Sequence, residues 1–170
     1  MIDAYRKRVY KAQGILGRGR SFTDVPELQS YVSQLEGEPW YRCFWPHAFP
    51  IRVTDGRRRR SACGLPGEIR MPRWARFERV TLHEIAHSVS GTAAAHGPNF
   101  CRNYIRLAEG IFGRHAAMLL EGAFRGLNIK PDPETYTVAQ ATRVMKDRDA
   151  RRVAEPPPAP RCCPTCERPY

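Results

Sequence analysis

The sequence lacks any long apolar run and is poor in acidic residues. Without such a run it has neither a recognisable secretory signal nor a membrane-spanning helix, so we expect a cytoplasmic protein with no membrane partner. Its six cysteines are unevenly placed, because Cys162, Cys163 and Cys166 crowd together late in the chain. This distribution differs from the framework of a secreted disulfide protein and favours reduced thiols.

The shortage of acidic residues leaves a one-sided charge. Against 28 Lys and Arg stand 17 Asp and Glu, which gives a net charge of +11. This balance favours an anionic partner, namely DNA or another nucleic acid, and the alternative is an arginine-rich composition that serves solubility. Four arginines are consecutive after the turn signal Asp55-Gly56, which predicts that they lie at or near a hairpin tip. The candidate nucleic-acid contacts are Arg57, Arg58, Arg59 and Arg60, with a solvated turn as the simpler interpretation.

Length and periodicity predict one α+β domain followed by a tail. The 170 residues with 42% hydrophobic content suit a single domain over 1–148, with a Pro-rich linker and a cysteine-containing tail over 149–170. We expect a small antiparallel or mixed sheet packed against several helices. Strands are predicted at 40–45, 51–54 and 67–71. Helices are predicted at 3–13, 23–37, 76–89, 98–109, 115–124 and 134–148.

The segment His83-Glu84-x-x-His87 is the most informative part of the chain. On a helix, the two histidines lie one turn apart on the same face and Glu84 projects beside them. Two such imidazoles can bind one Zn²⁺, and the carboxylate can take a proton from zinc-bound water. The remaining face carries an apolar stripe that would pack against the core: Leu82, Ile85, Ala86 and Val89.

A catalytic zinc needs a third protein ligand, and His96 is the natural candidate. It follows a short loop after the predicted helix, and Gly97-Pro98 then allows a tight turn into the next helix. Three of the five histidines fall within residues 83–96, whereas His47 and His115 are distant from them in the sequence. Glu109 and Glu121 are rival third ligands.

His83-Glu84-x-x-His87 followed by His96-Gly97-Pro98-x-Phe100 resembles the SprT-like zinc metallopeptidases, especially small actinobacterial and phage metallohydrolases with a compact form of the pattern. The resemblance covers residues 80–107. It implies a zincin-like fold, zinc bound by the three histidines, Glu84 as general base and a protein or peptide substrate. In such peptidases the strand before the motif helix commonly offers its edge to the substrate, a role that 67–71 would fill. The spacer between His87 and His96 is shorter here, which leaves the substrate class open.

Two further features complete the sequence-based hypotheses. Cys163 and Cys166 form one Cys-x-x-Cys pair, half of a zinc ribbon and a possible second metal or redox site. Closing it would require Cys43, Cys63, Cys101 or another subunit, and free thiols are the alternative. The leading function is a zinc-dependent peptidase. The alternatives are a nucleic-acid-binding or regulatory protein that keeps the zinc site without proteolysis, and a hydrolase of a non-peptide amide.

Overall fold

The computed structural model describes residues 5–91 and 95–132, all within one compact unit. This part of the chain contains six α-helices and three strands, which confirms the predicted α+β class. The helices are α1 Arg6–Ala12, α2 Val25–Gly37, α3 Pro39–Phe44, α4 Glu78–Ser90, α5 Pro98–Phe112 and α6 Arg114–Gly126. The strands are β1 Arg52–Asp55, β2 Cys63–Leu65 and β3 Glu68–Met71, and 3-10 helices occur at Gln13–Leu16 and Arg73–Ala75.

The sheet is small and mixed. Its order is β1-β3-β2, with β1 parallel to β3 and β2 antiparallel to β3. Ile69 and Met71 alternate along the central strand and are fully buried, so this face of β3 belongs to the core. The tight hairpin joins β2 to β3 through Gly67, whose φ of +75° suits glycine.

Two expectations about the sheet are wrong. Arg57–Arg60 lie in the connection from β1 to β2 rather than at a hairpin tip, because these strands flank β3 and do not pair. The segment 67–71 has no free edge, since β3 pairs on both sides. The strand that is both an edge of the sheet and packed on α4 is β2.

The predicted strand at 40–45 is also wrong, because this segment forms α3. Pro39 occupies the first turn of that helix, where its missing N–H costs nothing. The aromatic residues pack at helical spacing, with the Tyr41 and Trp45 ring centroids 4.8 Å apart. Burying these large rings against the core outweighs their preference for strands.

The other predicted helices in the described residues are present, with small shifts at their ends. Asp24 caps α2, because its carboxylate accepts a hydrogen bond of 2.8 Å from the Glu27 N–H. The apolar side chains of Phe100, Tyr104, Ile105 and Ala108 in α5 are buried, and this helix packs against both α4 and α6. In the described part of the chain, every helix is too short or too polar to cross a membrane. The predicted helix 134–148, the linker and the tail lie outside the described residues.

Helix α4 is buried on nearly its whole surface. Leu82, Ile85 and Ala86 have no exposed area and the partly buried Val89 packs against the core, which confirms the predicted packing stripe. The opposite face is buried too, since His83 is 1% and Glu84 4% exposed. Polar side chains this deeply buried require hydrogen-bonding or metal partners. The fold thus brings the face of α4 that carries His83 and Glu84 into the interior.

Candidate metal centre

The structure brings the three predicted histidine ligands together. His83 and His87 lie one turn apart on α4, and His96 comes from the loop immediately before α5. All three point their Nε2 atoms toward one place: the Nε2 of His96 is 3.1 Å from that of His83 and 3.3 Å from that of His87. In the described residues, these three side chains form a group that could hold a metal ion.

The nitrogen separations fit a single tetrahedral metal. Two nitrogens bound to one Zn²⁺ at about 2.0–2.1 Å lie about 3.3 Å apart when the geometry is tetrahedral. The separations of the His96 Nε2 from those of His83 (3.1 Å) and His87 (3.3 Å) are close to this edge length. Three imidazoles leave the fourth position of a tetrahedral ion for water or substrate. The donor set therefore suits a catalytic metal site better than a closed structural one.

Phe100 forms the apolar support of the three rings. Its ring centroid lies 4.9, 4.4 and 5.0 Å from those of His83, His87 and His96. It occupies the first turn of α5, directly after Gly97 and Pro98 start that helix. The spacing His-Gly-Pro-x-Phe thus has a physical reason, since it places an aromatic ring behind the ligand that precedes it. Contacts of this kind restrict the orientation of each imidazole.

Hydrogen bonds between α4 and α5 hold His96 in place. The Asn103 amide donates to the Ser90 hydroxyl (2.9 Å) at the end of α4 and to the Asn99 side-chain oxygen (3.2 Å) at the start of α5. The Cys101 thiol donates to the carbonyl oxygen of His96 at 3.6 Å. These contacts tie together the two ends of the connection on which His96 lies.

The electrostatics of His83 favour the neutral, metal-binding form. Burial lowers the pKa of His83 well below its ordinary value, and the nearby His87, His96 and Arg6 lower it further. An imidazole must be neutral to bind a metal through a ring nitrogen. The Nδ1 of His83 lies 2.9 Å from the Gln13 side-chain oxygen, so the second ring nitrogen also has a partner.

Glu84 is a buried carboxyl with a raised pKa. Burial raises the pKa of Glu84 to about 8, while a hydrogen bond from the backbone N–H of Gly64 opposes this shift. Gly64 lies in β2, and its lack of a side chain is required here: a Cβ would overlap the Glu84 carbonyl oxygen and lie 2.9 Å from the His87 Cβ. The edge strand and α4 therefore approach each other as closely as their backbones allow.

The remaining predicted site residues are elsewhere. Glu109 and Glu121 do not belong to the histidine group, and Glu121 instead pairs with Arg102 at 3.2 Å and Arg125 at 3.0 Å. His47 and His115 are exposed and also separate from the group. Cys163 and Cys166 lie outside the described residues.

The arginine run is fully on the surface. Arg57, Arg58, Arg59 and Arg60 are all exposed, and Arg58 has a positive φ of 68°. The Arg57 guanidinium forms an ion pair with Asp55 at 3.2 Å, so part of the local positive charge is balanced.

Sequence reasoning missed three residues that surround the centre. Gln13 and Tyr10 reach it from the amino-terminal segment, and Gly64 reaches it from β2. Gln13 is 70 positions from His83, so no local spacing indicates their contact. The helix predicted at 3–13 includes Tyr10, but a helix prediction does not indicate what its ring contacts.

Comparison with known proteins gave no match: no protein-family model, no curated protein and no solved structure matches this chain. The SprT-like resemblance of residues 80–107 therefore stays a prediction.

Proposed function

We propose that this protein is a zinc-dependent hydrolase with a zincin-like site, and specifically a peptidase of the SprT-like type. The observation that carries the proposal is the convergence of three imidazoles, with the His96 Nε2 3.1 and 3.3 Å from those of His83 and His87, beside the buried carboxyl of Glu84 on α4. A purely structural metal site would need the histidines but not Glu84. A buried acid with a raised pKa lowers stability at neutral pH, which favours a chemical role for it.

Each residue has a definable part in the proposed hydrolysis. Bound Zn²⁺ would polarise the scissile carbonyl and acidify water. Glu84 accepts a proton from the attacking water and passes it to the leaving nitrogen, so that hydroxyl adds to the carbonyl carbon and hydrogen to the nitrogen. A pKa near neutrality suits both transfers, and the Gly64 N–H holds the carboxylate in place. Burial lowers the pKa of His83, which keeps this imidazole neutral and its Nε2 lone pair available.

A peptide is the favoured substrate for two reasons. The resemblance of residues 80–107 is to peptidases, and β2 is an edge strand that packs on α4, where an extended peptide could lie beside it. A hydrolase of a non-peptide amide would use the same catalytic groups. Cys43, Cys63 and Cys101 are free thiols, which agrees with the proposed cytoplasmic location.

The direct test is hydrolysis of a mixed protein substrate by zinc-loaded protein, with and without DNA. Wild type should cleave it, and Glu84→Gln should lose activity by several orders of magnitude while it keeps its zinc. Equal activity in the two proteins would remove Glu84 from the reaction. Zinc binding without any cleavage by wild type would favour the second candidate, a nucleic-acid-binding or regulatory protein, for which the exposed Arg57–Arg60 run is the supporting observation.

A further inference from the structure

The amino-terminal segment lies against the histidine cluster. Tyr10 in α1 and Gln13 at the start of the following 3-10 helix are three positions apart, so they share one helical face. The Tyr10 ring stacks on the His83 ring with centroids 5.3 Å apart and planes 14° apart, and it meets His96 edge-on at 5.5 Å. Nothing in the local sequence of this segment marks it as part of a metal site.

Gln13 is a buried amide with a specific partner. Its side chain is enclosed, with the residue 7% exposed, and its oxygen lies 2.9 Å from the Nδ1 of His83. A neutral imidazole carries one proton. If that proton is on Nδ1, it is donated to Gln13 and the lone pair is on Nε2, which is the atom that faces His96 and His87. The hydrogen bond therefore favours the tautomer that can bind a metal.

Aromatic residues contact the His83 imidazole ring on its other sides. Phe100 and Tyr104 meet the His83 ring edge-on, with centroids 4.9 and 5.7 Å away. Together with the stacked Tyr10, they fix the plane of the imidazole. Packing alone cannot decide which nitrogen carries the proton, whereas a polar contact with an acceptor oxygen at Nδ1 favours a proton there. Gln13 makes that contact.

We propose that Gln13 is a positioning residue of the metal centre, which acts through His83 by holding its proton on Nδ1 and its lone pair on Nε2. This rests on the proposed function only in so far as the three histidines bind a metal. The effect expected from loss of such an outer partner is a 10–100-fold weaker metal affinity, by order of magnitude.

A simpler role for Gln13 would be to anchor α1, and the structure offers a control for it. Val9 and Ala12 bury α1 in the core, and the Arg8 guanidinium donates to the carbonyl oxygens of Leu127 and Asn128, each at 3.2 Å. Arg8 thus fastens the same helix through carbonyl groups that follow α6. Arg8→Met should destabilise the docking of α1, whereas Gln13→Met should change the metal site.

The experiment measures zinc affinity by competition with a chromogenic chelator. It also measures the tautomer of His83 by nitrogen-15 NMR of the metal-free protein. Gln13→Met should bind zinc on the order of 10–100-fold more weakly and shift His83 toward the Nε2-protonated form. Gln13→Glu keeps an acceptor oxygen and should bind zinc as tightly as wild type or more tightly. Arg8→Met should lower the melting temperature but leave both the affinity and the tautomer unchanged.

Several results would overturn the proposal. If Gln13→Met binds zinc as wild type does, or Arg8→Met loses the same affinity, Gln13 is only a packing residue. If Gln13→Met does not fold, Gln13→Glu decides the question. An unchanged His83 tautomer and wild-type zinc affinity in Gln13→Glu support the proposal. A strongly weakened zinc affinity in this variant contradicts it. Absence of zinc binding by wild type would contradict the proposed function as well, which distinguishes the two failures.

Discussion

Replacing Glu84 by glutamine should stabilise the metal-free protein at neutral pH. Burial raises the pKa of Glu84 from its ordinary value of 4.5 to about 8, so the folded protein disfavours the ionised carboxylate. Such a group contributes stability that is fully present below pH 4.5 and is lost as the pH rises toward 8. Glutamine never ionises, and its side-chain oxygen can still accept the Gly64 N–H.

The magnitude follows from the difference between the two pKa values. At pH 7 the carboxylate should cost about 3 kcal/mol of unfolding free energy relative to glutamine, because one unit of pKa difference is about 1.4 kcal/mol. The cost should vanish near pH 4.5 and reach its full size above pH 8. Urea unfolding of wild type and Glu84→Gln in a chelator, at several pH values from 5 to 8, measures it. Comparing the two proteins cancels the titration of groups they share.

Glu68→Gln provides a control whose expected effect on stability at pH 7 is opposite to that of Glu84→Gln. Hydrogen bonds from Arg70 and Thr54 lower the pKa of Glu68, so this carboxylate contributes stability at neutral pH that is lost as the pH falls through its lowered pKa. Glu68→Gln should therefore destabilise the protein at pH 7, and less so in acid. If Glu84→Gln is destabilising, or if its effect does not change between pH 5 and 8, the carboxyl is not held in the environment described here.

Two further predictions concern the surroundings of the centre. Gly64→Ala should destabilise the protein by about 1–3 kcal/mol because its Cβ would overlap the Glu84 carbonyl oxygen. The control Gly14→Ala should be nearly neutral, because there is open space around Gly14. Equal thermal unfolding temperatures for the two variants would contradict this prediction. Replacing Arg57–Arg60 with serine should flatten the salt dependence of DNA binding without changing zinc content, because each neutralised phosphate releases condensed counterions. Titration of a fluorescent oligonucleotide at several salt concentrations decides it, and an unchanged slope would assign the run to a solvated turn.

The local features of the site could be predicted from the sequence because they depend on short spacings. His83 and His87 share a helical face by virtue of their separation of four residues, and an apolar stripe identifies that helix. His96 follows closely, and the Gly97-Pro98 pair predicts where α5 begins. These positions need only the geometry of one helix and one turn.

The incorrect predictions of secondary structure and strand pairing have two physical causes. At 40–45 the aromatic content suggested a strand, although Trp40, Tyr41, Phe44 and Trp45 have the spacing of a helical face, and tertiary packing decided in favour of α3. The other cause is long-range pairing. The parallel match of β1 with β3 requires a crossover, whereas sequence-based reasoning assumes that neighbouring strands pair.

Long-range contacts also explain why the sequence could not indicate that Gln13 and Gly64 lie at the site. Gln13 and Gly64 contact α4 from distant points in the chain, and neither belongs to a recognisable motif. Their roles become visible only when the fold has brought the amino-terminal segment and the edge strand onto the same helix.

The central hypothesis is that His83, His87 and His96 bind one zinc ion. The most direct test is metal analysis of the purified wild type and of two variants that each replace one histidine, together with X-ray absorption spectroscopy of zinc in the wild type. We predict about one zinc per chain, with three nitrogen ligands at about 2.0–2.1 Å. His87→Ala should lose the tightly bound metal, and His115→Ala, which changes an exposed histidine outside the cluster, should keep it. A wild-type protein without zinc, or full zinc retention by His87→Ala, would contradict the account.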